Sequence, residues 1–154
     1  MQYSKNTPRL AFKVHPGSGP HLLLVHGFLS SSAQWLANLE ALSAVCKPVT
    51  VDLWGHGRSP APRDKTHYSP QAYAGQFEQI RQQLGIERWF VCGYSLGAGL
   101  SIRYAHDYPQ NVYGHIFTNS NSALAGPEQI QEWLQSAAKS AANIRSKGSA
   151  AIDR

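Results

Sequence analysis

Trp89-Phe90-Val91-Cys92-Gly93-Tyr94-Ser95-Leu96-Gly97-Ala98-Gly99-Leu100 is the stretch on which the reading of this sequence turns. Residues 89–94 are a short, nearly continuous apolar run, the pattern of a strand covered on both faces. Residues 96–108 then read as a helix that starts among small residues and halts before Pro109. No gap separates the two, so Ser95 must sit on a sharp strand-to-helix turn. Such a turn lifts the serine hydroxyl above the sheet. Gly93 and Gly97 let strand and helix approach without Cβ clashes. The helix N-terminus behind Ser95 offers oriented amides and a partial positive charge to a developing oxyanion. A Gly-x-Ser-x-Gly motif arises by chance in about 5% of chains this size, so it is this setting that makes Ser95 a candidate nucleophile.

Outward from this stretch, strand and helix patterns alternate. Leu10–Val14 reads as a short strand, and residues 21–27 as a buried strand closed by Gly27. Trp35, Leu36, Leu39, Leu42 and Val45 recur at helical spacing within a helix predicted over 33–45, with Ser31 or Ser32 as its cap. Pro48–Leu53 is another strand, followed by a long loop over 54–67. Ser69-Pro70 opens a helix with the stripe Tyr73, Phe77, Ile80 and Leu84, closed by Gly85. Val112–Thr118 is a further strand, and Gly126-Pro127-Glu128 begins a last helix. The alternation predicts an α/β fold, a doubly wound, mostly parallel sheet with flanking helices. In such sheets the functional groups lie at the carboxyl ends of strands.

Two other strand ends carry glycine motifs. At His26-Gly27-Phe28, the Phe28 amide is placed to pair with the Leu96 amide as an oxyanion hole. His26 reads as a residue that orders its turn by bonding backbone, because it lies beside the oxyanion loop and not across from it. Asp52-Leu53-Trp54-Gly55-His56-Gly57-Arg58-Ser59 holds Asp, His and Ser together. Triads, however, are assembled from separate loops, so this reads as a structured loop. Asp52 is expected to accept backbone amides, with Gly55 and Gly57 at positive φ and Trp54 a candidate for the pocket wall.

Composition narrows the alternatives. The 154 residues carry a net charge of +5 and are 42% hydrophobic and 15% charged, a globular balance. The basic residues are scattered, which argues against nucleic acid as a partner. Two cysteines are too few for a disulfide framework. No His spacing suits a metal, and no phosphate loop follows a strand, so no metal and no cofactor is expected. The N-terminal residues lack an apolar stretch, and no run reaches membrane-spanning length, so a cytoplasmic location is the expectation. Oligomeric state is left open.

Taken together, Leu-Leu-Leu-Val-His-Gly-Phe (22–28), Asp-Leu-Trp-Gly-His-Gly-Arg-Ser (52–59) and Gly-Tyr-Ser-Leu-Gly-Ala-Gly (93–99) resemble the α/β-hydrolase superfamily in order and spacing. They most resemble its bacterial small-molecule esterases, enol-lactonases and carbon–carbon hydrolases, which implies a small-molecule substrate. The resemblance implies a serine hydrolase with Ser95 as nucleophile and the Phe28 and Leu96 amides as oxyanion hole. It also implies that residues 1–125 are the N-terminal part of the core and 126–154 the start of a lid. In that family an acid and then a histidine follow the serine. Here 119–122 is Asn-Ser-Asn-Ser, and no histidine occurs after His115. The expectation is therefore an incomplete chain, truncated before the last strands, feebly active on its own and prone to aggregate. A carbon–carbon hydrolase or lyase, or a non-catalytic binding relative, are the alternatives.

Overall fold

The computed structural model describes residues 8–120 and 126–151. They fall into two compact units divided after Ser120.

The first unit is built on a five-stranded sheet. Its strands are β1 (Phe12–Val14), β2 (His21–Val25), β3 (Lys47–Val51), β4 (Trp89–Tyr94) and β5 (Val112–Thr118), in the spatial order β1-β3-β2-β4-β5. β1 runs antiparallel to β3, and all other pairs are parallel. β2 lies between β3 and β4, with Leu23 opposite both Val49 and Val91, and its side chains are buried on both faces, Leu23 and Val25 on one and Leu22 and Leu24 on the other. That position explains its unbroken apolar sequence.

Helices lie on both faces. α2 (Pro70–Gln83) and α3 (Leu96–Asp107) cover one of them. There Tyr73, Phe77, Ile80, Leu100 and Tyr104 pack with Leu23, Val25, Val49, Val51, Trp89 and Val91 in a single core cluster. Each such side chain taken fully out of water contributes about 1.5–3 kcal/mol. α2 starts as expected, with the Ser69 hydroxyl accepting from the Ala72 amide at 3.2 Å. It ends in a Schellman pattern, Gly85 N–H donating to Gln82 O and Ile86 N–H to Arg81 O. On the opposite face Leu22, Leu24 and Cys46 gather Trp35, Leu39, Leu42, Phe90 and Cys92.

The segment expected as one helix over 33–45 is in fact two pieces. A 3₁₀ helix occupies Ser32–Asn38, and only Leu39–Ser43 is α-helical, as α1. The cause is a fixed entry: Ser31 caps the Ala33 amide, while the Asp52 carboxylate accepts from the Ser32 amide at 2.6 Å. These tethers hold the first turns tight.

The second unit contains α4 (Pro127–Lys147), which carries Ile130, Trp133, Leu134 and Ile144 exposed along an amphipathic helix. No described helix is long and apolar enough to cross a membrane.

Candidate active site

Three residues other than glycine have positive φ among those described: Leu29 at 54°, Ser95 at 52° and Asn119 at 55°. Each lies just beyond the carboxyl end of a strand, after β2, β4 and β5 respectively, and these three strands are neighbours in the sheet. Backbone strain of this kind costs on the order of 1–3 kcal/mol per residue and persists where surrounding structure enforces it.

At the centre, Ser95 caps α3 with φ 52° and ψ −115°. Its amide donates to Thr118 O at 3.0 Å, and its carbonyl accepts from Ala98 N–H at 3.0 Å. The turn is therefore tied to β5 on one side and to its own helix on the other. The glycines are required by space. A Cβ at Gly93 would stand 2.7 Å from Ala98 Cα, and one at Gly97 would stand 2.7 Å from the Val25 carbonyl carbon and collide with the Val25 and His26 oxygens. Thus the helix start is pressed onto the end of β2. Ser95 is half-buried, and no described residue hydrogen-bonds to its hydroxyl.

The β2 end lies alongside. A Cβ built on Gly27 would be 3.4 Å from Ser95 Cβ and 2.9 Å from the Tyr94 ring, so the loop carrying Phe28 borders the serine. Gln34 Oε1 braces that loop by accepting the Gly27 amide at 3.1 Å. Phe28 and Leu96 are exposed, and no described acceptor takes either amide. Two free amides thus flank the serine turn, one from the β2 loop and one from the helix start.

His26 is fully buried, and both of its ring nitrogens are occupied. Nε2 accepts from Leu53 N–H at 3.0 Å, so the proton resides on Nδ1, which donates to Gly27 O at 2.7 Å. Burial pushes its pKa below the usual histidine value. The Gly27 bond and the Asp52 charge only partly oppose that, and His56 adds to it. His26 is a neutral clamp between the ends of β2 and β3.

Asp52 is likewise committed to backbone, accepting from Ser32 N–H and from Arg58 N–H at 3.0 Å. Burial works against its charge, but the two amides outweigh it and hold the carboxyl below its ordinary value. Gly55 and Gly57 take φ 74° and 51°. Trp54 departs from expectation: at 1% exposure it lies within the core, not on a pocket wall. The chain stays buried beyond β3 through Leu53 and Trp54, and the indole joins the cluster that holds Tyr73 and Phe77 of α2. His56, by contrast, packs its ring on both His26 and Phe28, linking the Asp52 loop to the β2 loop.

Sequence reasoning missed a contact on the far side of the turn. Asn119 Nδ2 donates to the Tyr94 hydroxyl at 3.0 Å. A short polar residue after a strand was the available signal, since asparagine tolerates positive φ. Asn121 and Ser122 lie outside the described residues. Among the described residues no group of three His, Cys, Asp or Glu could hold a metal ion.

A family model described as the alpha/beta hydrolase fold matches residues 20–150. The chain belongs to this family. Its relatives include an uncharacterized protein of Mycobacterium tuberculosis (strain ATCC 25618 / H37Rv), 38% identical over 104 residues, which are 68% of this chain and 30% of that one. A fluoroacetate dehalogenase of Burkholderia sp is 35% identical over 99 residues, 62% of this chain and 33% of the dehalogenase. Among solved structures, the N-acyl homoserine lactonase AidH in complex with N-butanoyl homoserine is similar at TM-score 0.67 and 34% identity, over 73% of this chain and 42% of the lactonase. The chain thus spans about a third of the length of the curated relatives it matches.

Proposed function

We propose that this α/β-hydrolase chain carries the nucleophile half of a serine hydrolase acting on a small-molecule ester, lactone or related carbonyl compound. The observation that carries the reading is Ser95 itself, a non-glycine held at φ 52° on the turn between β4 and α3; in this reading the Phe28 and Leu96 amides form its oxyanion hole. A carbonyl oxygen seated between those amides accepts from both. As Ser95 Oγ bonds to the carbonyl carbon, the π pair moves onto that oxygen, and the amides stabilise the charge. Collapse of the tetrahedral species breaks the bond to the leaving oxygen, which departs with the proton that Ser95 gave up. Water then repeats the sequence on the acyl-enzyme and releases the acid.

That proton needs a base. No described histidine hydrogen-bonds to the Ser95 hydroxyl: His26 is held by Gly27 and Leu53, His56 by Trp54 O and His115 by Ser101. In this reading the histidine and its orienting carboxylate come from outside these 154 residues, and residues 126–154 begin the lid. The relative named a lactonase supports a carbonyl substrate. Hydrolysis of a p-nitrophenyl ester by the 154-residue protein tests the reading. We expect slow release, below a complete triad by roughly four to six orders of magnitude, and a fall to the spontaneous rate in Ser95→Ala. A rate untouched by Ser95→Ala overturns the assignment of the nucleophile. Rapid turnover overturns the assignment of the base to residues outside the chain.

A further inference from the structure

We infer that Tyr94 is a specificity-determining residue of the same site. Its hydroxyl donates a hydrogen bond to a second, uncharged acceptor (an amide carbonyl or ether oxygen) carried by the substrate beside the scissile carbonyl. The inference rests on the reading of Ser95 as nucleophile.

The geometry begins at Gly27. The same built Cβ that falls 3.4 Å from Ser95 Cβ falls 2.9 Å from Tyr94 Cδ1 and 3.3 Å from Cε1, so ring and nucleophile border one point of the β2 loop. From there the ring reaches the end of β5, where Asn119 Nδ2 meets its hydroxyl at 3.0 Å. Tyr94 thus lies across the carboxyl ends of β2, β4 and β5, and it is 37% exposed there. Its far end is fixed, because Asn119 follows Thr118, whose carbonyl holds the Ser95 amide.

A phenol hydroxyl has one proton to give and lone pairs to receive. Asn119 donates into a lone pair, and no described residue accepts the proton. Two other tyrosines, by contrast, spend their phenol proton within the protein: Tyr104 donates to Glu78, and Tyr68 to Pro62 O. Asn119 therefore orients the Tyr94 hydroxyl without consuming its donor. Gly27 beside the ring and Asn119 at the hydroxyl are both uncharged, which suits a neutral acceptor over a carboxylate. A plain alkyl acyl chain leaves this donor unused. An acyl group bearing a neighbouring amide or ether uses it.

The test avoids turnover. Boronic acids form reversible adducts with a reactive serine, so the affinities of an alkyl boronic acid and its isosteric acetamidomethyl counterpart are compared by calorimetry. We expect the wild-type protein to favour the acetamido compound about tenfold, the worth of one good hydrogen bond. The ratio falls to near one in Tyr94→Phe and to an intermediate value in Asn119→Gly, which keeps the positive-φ backbone. No preference in the wild type, or an undiminished preference in Tyr94→Phe, overturns the inference. Absence of binding by the wild type likewise overturns the inference, whereas equal binding by Ser95→Ala overturns the nucleophile reading, and the inference falls with it.

Discussion

Gly97→Ala is expected to cost about 3 kcal/mol or more and to abolish the reactivity of Ser95, although the change adds one methyl group. Overpacking in a well-packed interior ordinarily costs 1–3 kcal/mol, when side chains can yield. At Gly97 the obstacle is backbone, the carbonyls of Val25 and His26 at the end of the central strand β2. Relief requires α3 to lift from β2, which carries the Leu96 amide away from Phe28 and loosens the strained Ser95. Thermal unfolding followed by circular dichroism reads the stability loss, and serine-directed labelling reads the reactivity. Gly99→Ala is the control, since a Cβ there meets nothing within 4 Å. A Gly97→Ala protein as stable as the wild type would contradict the packing argument.

The second large effect lies away from the site, in α2. Glu78 is buried and accepts from Arg81 at 2.7 and 2.9 Å, from Gln82 at 2.8 Å, from Tyr104 at 3.0 Å and from Asn111 at 3.1 Å. Tyr104 in turn accepts from Trp89 Nε1 at 3.1 Å, so the carboxylate knits α2 to α3 and to β4. Glu78→Ala strands the Arg81 charge and several buried donors, and a loss of about 3–5 kcal/mol is expected. The pH dependence follows from the same contacts. Burial raises the Glu78 pKa, but donation from Arg81, Gln82 and Tyr104 outweighs it and leaves the value below normal. A carboxylate depressed in the folded state contributes stability above its unfolded value of about 4.3. That contribution is lost as pH falls through the folded value. Denaturant titrations between pH 6 and 3 should therefore show a shallower acid loss in Glu78→Gln than in the wild type. An identical acid limb in both would contradict this account of Glu78.

How much of this was legible beforehand differs from element to element. β4 and the start of α3 could be read because one strand run met one helix run with no room between them, which left only a sharp turn for Ser95. β2 was legible because a strand covered on both faces shows no alternation. The 3₁₀ character of 32–38 was not, because a hydrophobic stripe does not distinguish a tight first turn from an α-helical one. What decides it is the Asp52 carboxylate, twenty residues away in sequence. Trp54 was misplaced for a related reason, since a large aromatic near glycines suits a pocket wall or a core equally well. The Tyr94–Asn119 bond depends on the register of β4 against β5, with Tyr94 opposite Thr118, and periodicity does not encode register.

The proposed function depends on Ser95 being the reactive residue of the chain. Prolonged exposure of the 154-residue protein to an alkyl fluorophosphonate, followed by peptide mass mapping, tests this directly. The predicted result is a slowly formed phosphonyl adduct on the peptide containing Ser95, absent from Ser95→Ala. An adduct that forms elsewhere while Ser95 stays unmodified would contradict it.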